Sequence, residues 1–270
     1  MNYIQPKKIK ILQSIYKLKS GGGIEELVCN LSPLLNDDNL STFVVGFKNG
    51  NLFDRLVKKG IPTYCLHKKT GFDPNFAYRY FRLLKTLKPD IVHAHSLSPS
   101  IWSSILAKYI LNLPTISTIH TMIHPQGKTS IAYGFVNHFS DQLVTVSNSV
   151  KYNYISHFPK PSKKIITIYN GAPDCLLNLT QTQKIEIKQE INLDLKLNTC
   201  VCVGRLEEPK DHTNLFKAIK ILKDKSIFIN VLIVGEGYLR KTLENLAVQL
   251  GISRSTVFMG YRRSEEHTSE

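Results

Sequence analysis

Short apolar and β-branched runs alternate along the chain with longer stretches in which apolar positions recur every three or four residues. This is the pattern of strands joined by amphipathic helices. Residues 8–15 read as a first strand, followed by a glycine turn at 20–23 and a helix over 24–35. Strands over 41–47, 63–66, 91–95, 115–120, 142–147 and 165–168 follow, with helices over 51–59, 76–87, 99–111 and 129–139 among them. Strands joined by crossovers that contain a helix pair in parallel, so the pattern predicts an α/β fold. Residues 178–197 are polar, rich in Gln, Lys and Asn, and are expected to lie between domains. The rhythm then restarts with strands over 199–203, 227–234 and 257–259 and helices over 212–223 and 239–250. The expected division is a first doubly wound domain over 1–175, an inter-domain region over 176–198 and a second domain over 199–262. About three strands in that second domain fall short of the five or six of a doubly wound sheet, so it is expected to be incomplete.

Hydrophobic residues at 42% and charged residues at 21% suit a globular chain and exclude general disorder. Residues 1–10 are too polar for a secretory signal. The nearest approach to an apolar span, 101–111, is interrupted by two serines and a lysine and is shorter than the ~18 residues a membrane helix needs. The five cysteines (Cys29, Cys65, Cys175, Cys200 and Cys202) are odd in number and lack zinc-finger spacing. Cys200 and Cys202 share one strand face and read as buried free thiols. Reduced thiols and no signal predict a cytoplasmic protein. The formal charge of +14 favours anionic partners. The basic residues are dispersed, with no zinc finger, RNA-recognition signature or basic arm, so nucleic acid is not the expected partner. Residues 263–270 match one frame of a common sequencing adapter and are set aside from fold reasoning as foreign. Without their one positive and three negative charges the formal net charge becomes +16.

In parallel sheets, ligands bind beyond the carboxyl ends of strands, and four such places stand out. Gly21, Gly22 and Gly23 follow the first strand and open a helix, where bare backbone N–H groups suit a phosphate or sugar. The same residues would serve a plain flexible turn, and the dinucleotide G-x-G-x-x-G fingerprint is absent. His93 and His95 share a strand face, His120 ends the neighbouring strand and His124 follows. No further ligand converges on them in the sequence, so no metal is expected. His120 is placed to hydrogen-bond a polar substrate. Arg205 and Lys210 flank a strand–glycine–helix turn and suit a pyrophosphate, against the alternative of a solvated surface pair. Gly235, Glu236 and Gly237 form another strand-end turn, which says little by itself.

Together these segments resemble the retaining family 4 glycosyltransferases over residues 8–262. The matching pieces are Gly-Gly-Gly-Ile-Glu-Glu at 21–26, Pro-Asp-Ile-Val-His-Ala-His at 89–95, Ile-His-Thr at 119–121 and Val-Thr-Val-Ser at 144–147. They continue with Ile-Tyr-Asn-Gly at 168–171, Val-Gly-Arg-Leu with Lys210 at 203–210, Ile-Val-Gly-Glu-Gly at 233–237 and Phe-Met-Gly-Tyr at 258–261. The resemblance implies a GT-B fold: two Rossmann-like domains facing across a cleft, acceptor on the N-terminal side and nucleotide-sugar on the other. It implies transfer with retention and without a metal or cofactor. Arg205 and Lys210 would grip the donor diphosphate, Gly22 and Gly23 would contact the phosphate and transferred sugar, and His120 would line the reaction centre. His95, Asn170, Gly235 and Glu236 would line the cleft.

The family's next motif, a glutamate pair that holds ribose and sugar, should follow Tyr261 and is not in this sequence. These 270 residues alone are therefore expected to be inactive or nearly so. Relatives use glycan or lipid-linked acceptors at anionic membranes. Residues 76–88 mix aromatics with four basic side chains, as an interfacial helix would, or as an ordinary helix covering the sheet would. A non-catalytic binding module and a GT-B sugar-phosphate epimerase remain as alternatives. Donor sugar, base and acceptor cannot be read from the sequence.

Overall fold

The computed structural model describes residues 7–19, 22–71, 73–159, 164–171 and 180–262. The chain divides into two compact units, Met1–Asp174 and Cys175–Glu270. The first holds β1 (Ile9–Lys17), α1 (Gly23–Leu34), β2 (Leu40–Lys48), α2 (Leu52–Lys58), β3 (Thr63–Cys65), α3 (Pro74–Leu87) and β4 (Ile91–His95). It continues with α4 (Leu97–Trp102), a π-helical stretch Ser103–Ile110, β5 (Thr115–Ile119), α5 (Lys128–Phe139), β6 (Gln142–Thr145), α6 (Asn148–His157) and β7 (Ile165–Thr167). The seven strands form one parallel sheet in the order β3-β2-β1-β4-β5-β6-β7.

One part of the core packs α3 and the π-helical stretch on the sheet through Leu12, Phe47, Phe76, Tyr80, Leu84 and Leu106. Another packs α1 and α2 through Ile15, Val28, Val44, Leu52 and Leu56. Full burial of each such side chain contributes about 1.5–3 kcal/mol. Helix α3 shows how local chemistry fixes an element. The Asp73 carboxylate accepts from Phe76 N–H at 3.0 Å, Pro74 opens the helix, and Lys88 with φ 49° closes it ahead of Pro89.

Three helical segments depart from the sequence reading. Helix α6 was not predicted, because its buried face is only Val150 and Tyr154 among polar neighbours. Its signal was Ser147, whose hydroxyl caps Val150 N–H at 3.2 Å. Helix α7 (Gln181–Glu190) lies within the segment read as inter-domain and buries no residue. It is held by a reciprocal cap between Thr180 and Gln183. The helix predicted over 99–111 is α-helical only through Trp102 before its π-helical continuation.

The second unit holds α7, β8 (Thr199–Val203), a 3-10 turn Glu208–Lys210, α8 (His212–Asp224), β9 (Asn230–Val234), α9 (Arg240–Gln249), a 3-10 turn Ser253–Ser255 and β10 (Thr256–Gly260). The three strands are parallel in the order β10-β9-β8. Leu206, Phe216, Ile219, Val231, Ile233 and Leu243 form its core, with α8 and α9 on one sheet face. Val203 is 75% exposed on the other side of β8. Cys200 and Cys202 are free but only half-buried, a correction to the expected buried pair, because β8 is an edge strand among the described residues. Cys175, Gly21 and residues 263–270 lie outside the described residues.

Candidate functional site

The strand order of the first unit reverses between β1 and β4. Chain connections diverge there, which opens a crevice at the carboxyl ends of the strands. Gly22 and Gly23 follow β1, His95 ends β4 and His120 follows β5, so sequence positions far apart meet at this point.

Gly22 caps α1 in an extended conformation, and its carbonyl accepts from Glu26 N–H at 3.1 Å. A side chain at Gly22 would run into the Glu25 carboxylate, whereas Gly23 has nothing within 4 Å of where a Cβ would stand. Packing therefore does not require glycine at 23, and the bare backbone leaves the helix start open. Glu25 complements the positive helix end. An arriving phosphate would compete with that carboxylate.

The histidines form a stacked, hydrogen-bonded set. His93 and His95 lie on one strand face with ring centres 4.2 Å apart. His93 Nε2 is 2.7 Å from Thr118 Oγ1. His95 Nε2 is 2.6 Å from Gln13 Oε1, and its Nδ1 is 3.1 Å from His120 Nε2. The sequence reading put His95 at the cleft lining; at 1% exposure it instead backs His120. His120 shares a 60 Å³ cavity with Ile24, Ser96, Thr118, Thr121 and Tyr133. Ser96 holds φ 75° at the junction of β4 and α4, the kind of backbone strain that clusters at functional sites. Asn170 is exposed beyond β7, at the far edge of the sheet.

Burial holds these imidazoles neutral. It pushes His93 down to about 4, with His120 adding to the effect. It brings His120 itself to about 4 and His95 well below its ordinary range. In the second unit burial, then the Lys210 charge, lowers His212, which is 2% exposed with both ring nitrogens unpartnered. Unfolded histidines take up protons below about pH 6.5. The stability tied to the neutral folded forms is therefore present above about pH 6.5 and lost as pH falls toward about 4. Urea unfolding should show stability dropping between pH 7 and 5, by up to about 2 kcal/mol per buried histidine. A flat profile over that interval would contradict it. Asp73, Asp90 and Asp141, whose carboxyls sit below their ordinary range, extend the loss at lower pH.

In the second unit, the turn after β8 and the turn after β9 lock together. Gly204 N–H donates to Val234 O at 2.9 Å, Leu206 N–H to Glu236 O at 3.0 Å and Leu239 N–H to Leu206 O at 3.1 Å. Arg205 is exposed and paired with Glu207 at 3.2 Å. The Lys210 stem packs over Gly204, 3.6–3.8 Å from where a Cβ would stand. Glu236 pairs with Arg240 at 2.8 Å, and Gly235 has φ 143°. Arg205, Lys210, Gly235 and Glu236 are thus collected at one end of the small sheet. Sequence reading missed Gln13, Ser96, Thr118 and Tyr133. A glutamine inside the apolar run Ile-Leu-Gln-Ser-Ile was the visible signal for the first.

The Glycosyltransferase Family 4 model matches residues 21–174. The Glycosyl transferases group 1 model matches residues 183–269, a stretch that runs into the segment expected to be foreign. The chain belongs to Glycosyltransferase Family 4. It is 26% identical over 267 residues to the Staphylococcus aureus capsular polysaccharide biosynthesis glycosyltransferase CapH, covering 93% of this chain and 70% of the relative. Over 215 residues it is 26% identical to the Escherichia coli UDP-Gal:alpha-D-GlcNAc-diphosphoundecaprenol alpha-1,3-galactosyltransferase, covering 75% of this chain and 55% of the relative. Anabaena HepE, solved with UDP and glucose, shares the fold with a TM-score of 0.79 at 18% identity, covering 94% of this chain and 70% of that one. The chain spans from 47% to 70% of the length of the curated relatives it matches.

Proposed function

We propose that these residues serve a retaining transfer of sugar from a nucleotide-sugar to a glycan or lipid-linked acceptor in cell-surface polysaccharide synthesis. The observation that carries the reading is a neutral His120 on a cavity at the sheet's switch point, in a family 4 chain. Arg205 and Lys210 bind the donor diphosphate and stabilise the charge that grows on it as the sugar leaves. The Gly22–Gly23 backbone meets the phosphate and transferred sugar, and His120 hydrogen-bonds the reacting sugar. No metal or cofactor takes part, since the two cations supply the charge.

Relatives named for capsular synthesis and for a diphosphoundecaprenol acceptor support the acceptor class. The test is incorporation of labelled sugar from a panel of nucleotide-sugars by the full-length protein that carries this sequence. Transfer with retained anomeric configuration is expected. No transfer and no hydrolysis with any donor would overturn the reading and favour a binding module.

The proposal extends to peripheral contact with the anionic inner face of the cell membrane. Among the described residues no helix is long and apolar enough to cross a membrane. Helix α3 buries Phe76, Tyr80 and Leu84 in the core and leaves Tyr78, Arg79, Arg82 and Lys85 exposed. The expected membrane face is therefore basic with one exposed tyrosine. Arg82→Glu together with Lys85→Glu should abolish co-sedimentation with vesicles containing phosphatidylglycerol. Binding that ignores anionic lipid content removes the membrane contact.

A further inference from the structure

Gln13 and His95 form a chain behind His120 that neither the family match nor any relative's name assigns. Gln13 stands on β1 directly across from His93 of β4, and both Gln13 and His95 are buried. Their atoms make a single line: Gln13 Oε1 to His95 Nε2 at 2.6 Å, then His95 Nδ1 to His120 Nε2 at 3.1 Å. Each ring nitrogen of a neutral imidazole is either a donor or an acceptor, never both. An amide oxygen can only accept, so the proton on His95 must be on Nε2. His95 Nδ1 is then an acceptor, and His120 must donate to it from Nε2. His120 Nδ1, which has no partner among the described residues, is left as a lone-pair acceptor on a ring that lines the cavity.

We propose that Gln13 and His95 are positioning residues that fix His120 as its Nε2–H tautomer, so that Nδ1 accepts a hydrogen bond from a substrate hydroxyl. This rests on the transferase reading for the identity of the hydroxyl, a sugar's, but not for the tautomer. The orientation of Gln13 decides the direction of the whole chain. It leaves Gln13 Nε2 buried without a partner. The opposite orientation would put two nitrogens 2.6 Å apart, closer than an N–H donor and its acceptor normally stand. Burial also removes the competing imidazolium, which would donate from both nitrogens. A histidine held this way offers the cavity an acceptor and no charge. It therefore selects a hydroxyl over a carboxylate or phosphate oxygen, which brings no proton to share.

The test reads tautomers directly, on the 270-residue chain and without catalysis. Histidine ring ¹⁵N–¹H correlation spectra near pH 7 should show His95 and His120 each as a single Nε2–H tautomer, with Nδ1 of His120 at a pyridine-type shift. Gln13→Met should convert His120 to a tautomer mixture, and Gln13→Glu, which keeps the accepting oxygen, should restore the single form. His120 as the Nδ1–H tautomer in the unaltered chain would overturn the proposal, as would a folded Gln13→Met chain with an unchanged His120 spectrum. If Gln13→Met does not fold, the unaltered chain's spectrum decides alone. Absence of sugar transfer would leave this result standing and sink only the transferase reading.

Discussion

Replacing Arg205 and Lys210 together with alanine is expected to lower kcat for sugar transfer by about a thousandfold or more, with little change in melting temperature. Removing one preorganised donor from a developing negative charge costs roughly a hundredfold to thousandfold. Here two full cations go at once. The contrast with a surface ion pair is what gives the prediction its edge. Arg205 is exposed and makes its described ion pair only with Glu207; such pairs contribute about 0–1 kcal/mol. Glu207 therefore holds the guanidinium near the turn at small cost, and on the proposed reading would yield it readily to a diphosphate. The Lys210 stem lies over Gly204, which carries the ammonium along the same turn. Steady-state kinetics on the full-length protein, with melting curves alongside, check both halves. Turnover within tenfold of the unaltered enzyme would return the two residues to the role of a solvated surface pair.

Much of this architecture was legible in the sequence, for a physical reason. Short apolar runs bounded by turn residues, such as those of β4 and β8, mark strands whether buried or at an edge, and the bounds of these two match the sequence reading. Glycine turns punctuate strand ends, so Gly22–Gly23, Gly204 and Gly235 stand out in the sequence, although among these packing demands bare backbone most clearly at Gly235. What stayed hidden depends on partners distant in sequence. Gln13 and His95 are 82 positions apart, and no local pattern says that one accepts from the other. Ser96 looks like any serine until φ 75° is known. The exposed helix α7 carries no apolar stripe, so only its Thr180–Gln183 cap could have revealed it. A strand-end histidine such as His95 invites a cleft-lining reading, and its burial behind His120 is a tertiary fact.

The same reasoning separates glycines that the fold requires from those that only a ligand would require. Gly235→Ala is expected to destabilise the second unit by about 3 kcal/mol, among the larger effects a single methyl group can have. Gly235 has φ 143°, a conformation that costs an L-residue on the order of 1–3 kcal/mol. A Cβ there would also run into the carbonyl of Gly204, backbone that cannot rotate aside. Relief would break the bonds from Gly204 N–H to Val234 O and from Gly235 N–H to Gly260 O. Those bonds hold β8, β9 and β10 in step at the end of the sheet that carries Arg205. For a unit of this size each kcal/mol shifts the midpoint by about 4–8 °C, so a fall of roughly 12–24 °C is expected for its transition. Gly23→Ala should do the reverse. It sits at a helical position with open space around it, where alanine is favoured over glycine by up to about 1 kcal/mol. If the helix start serves a donor phosphate, that more stable variant should nevertheless bind nucleotide-sugar more weakly, because its methyl group stands where the ligand must approach. Equal melting shifts for the two variants would show that the distinction between them is wrong.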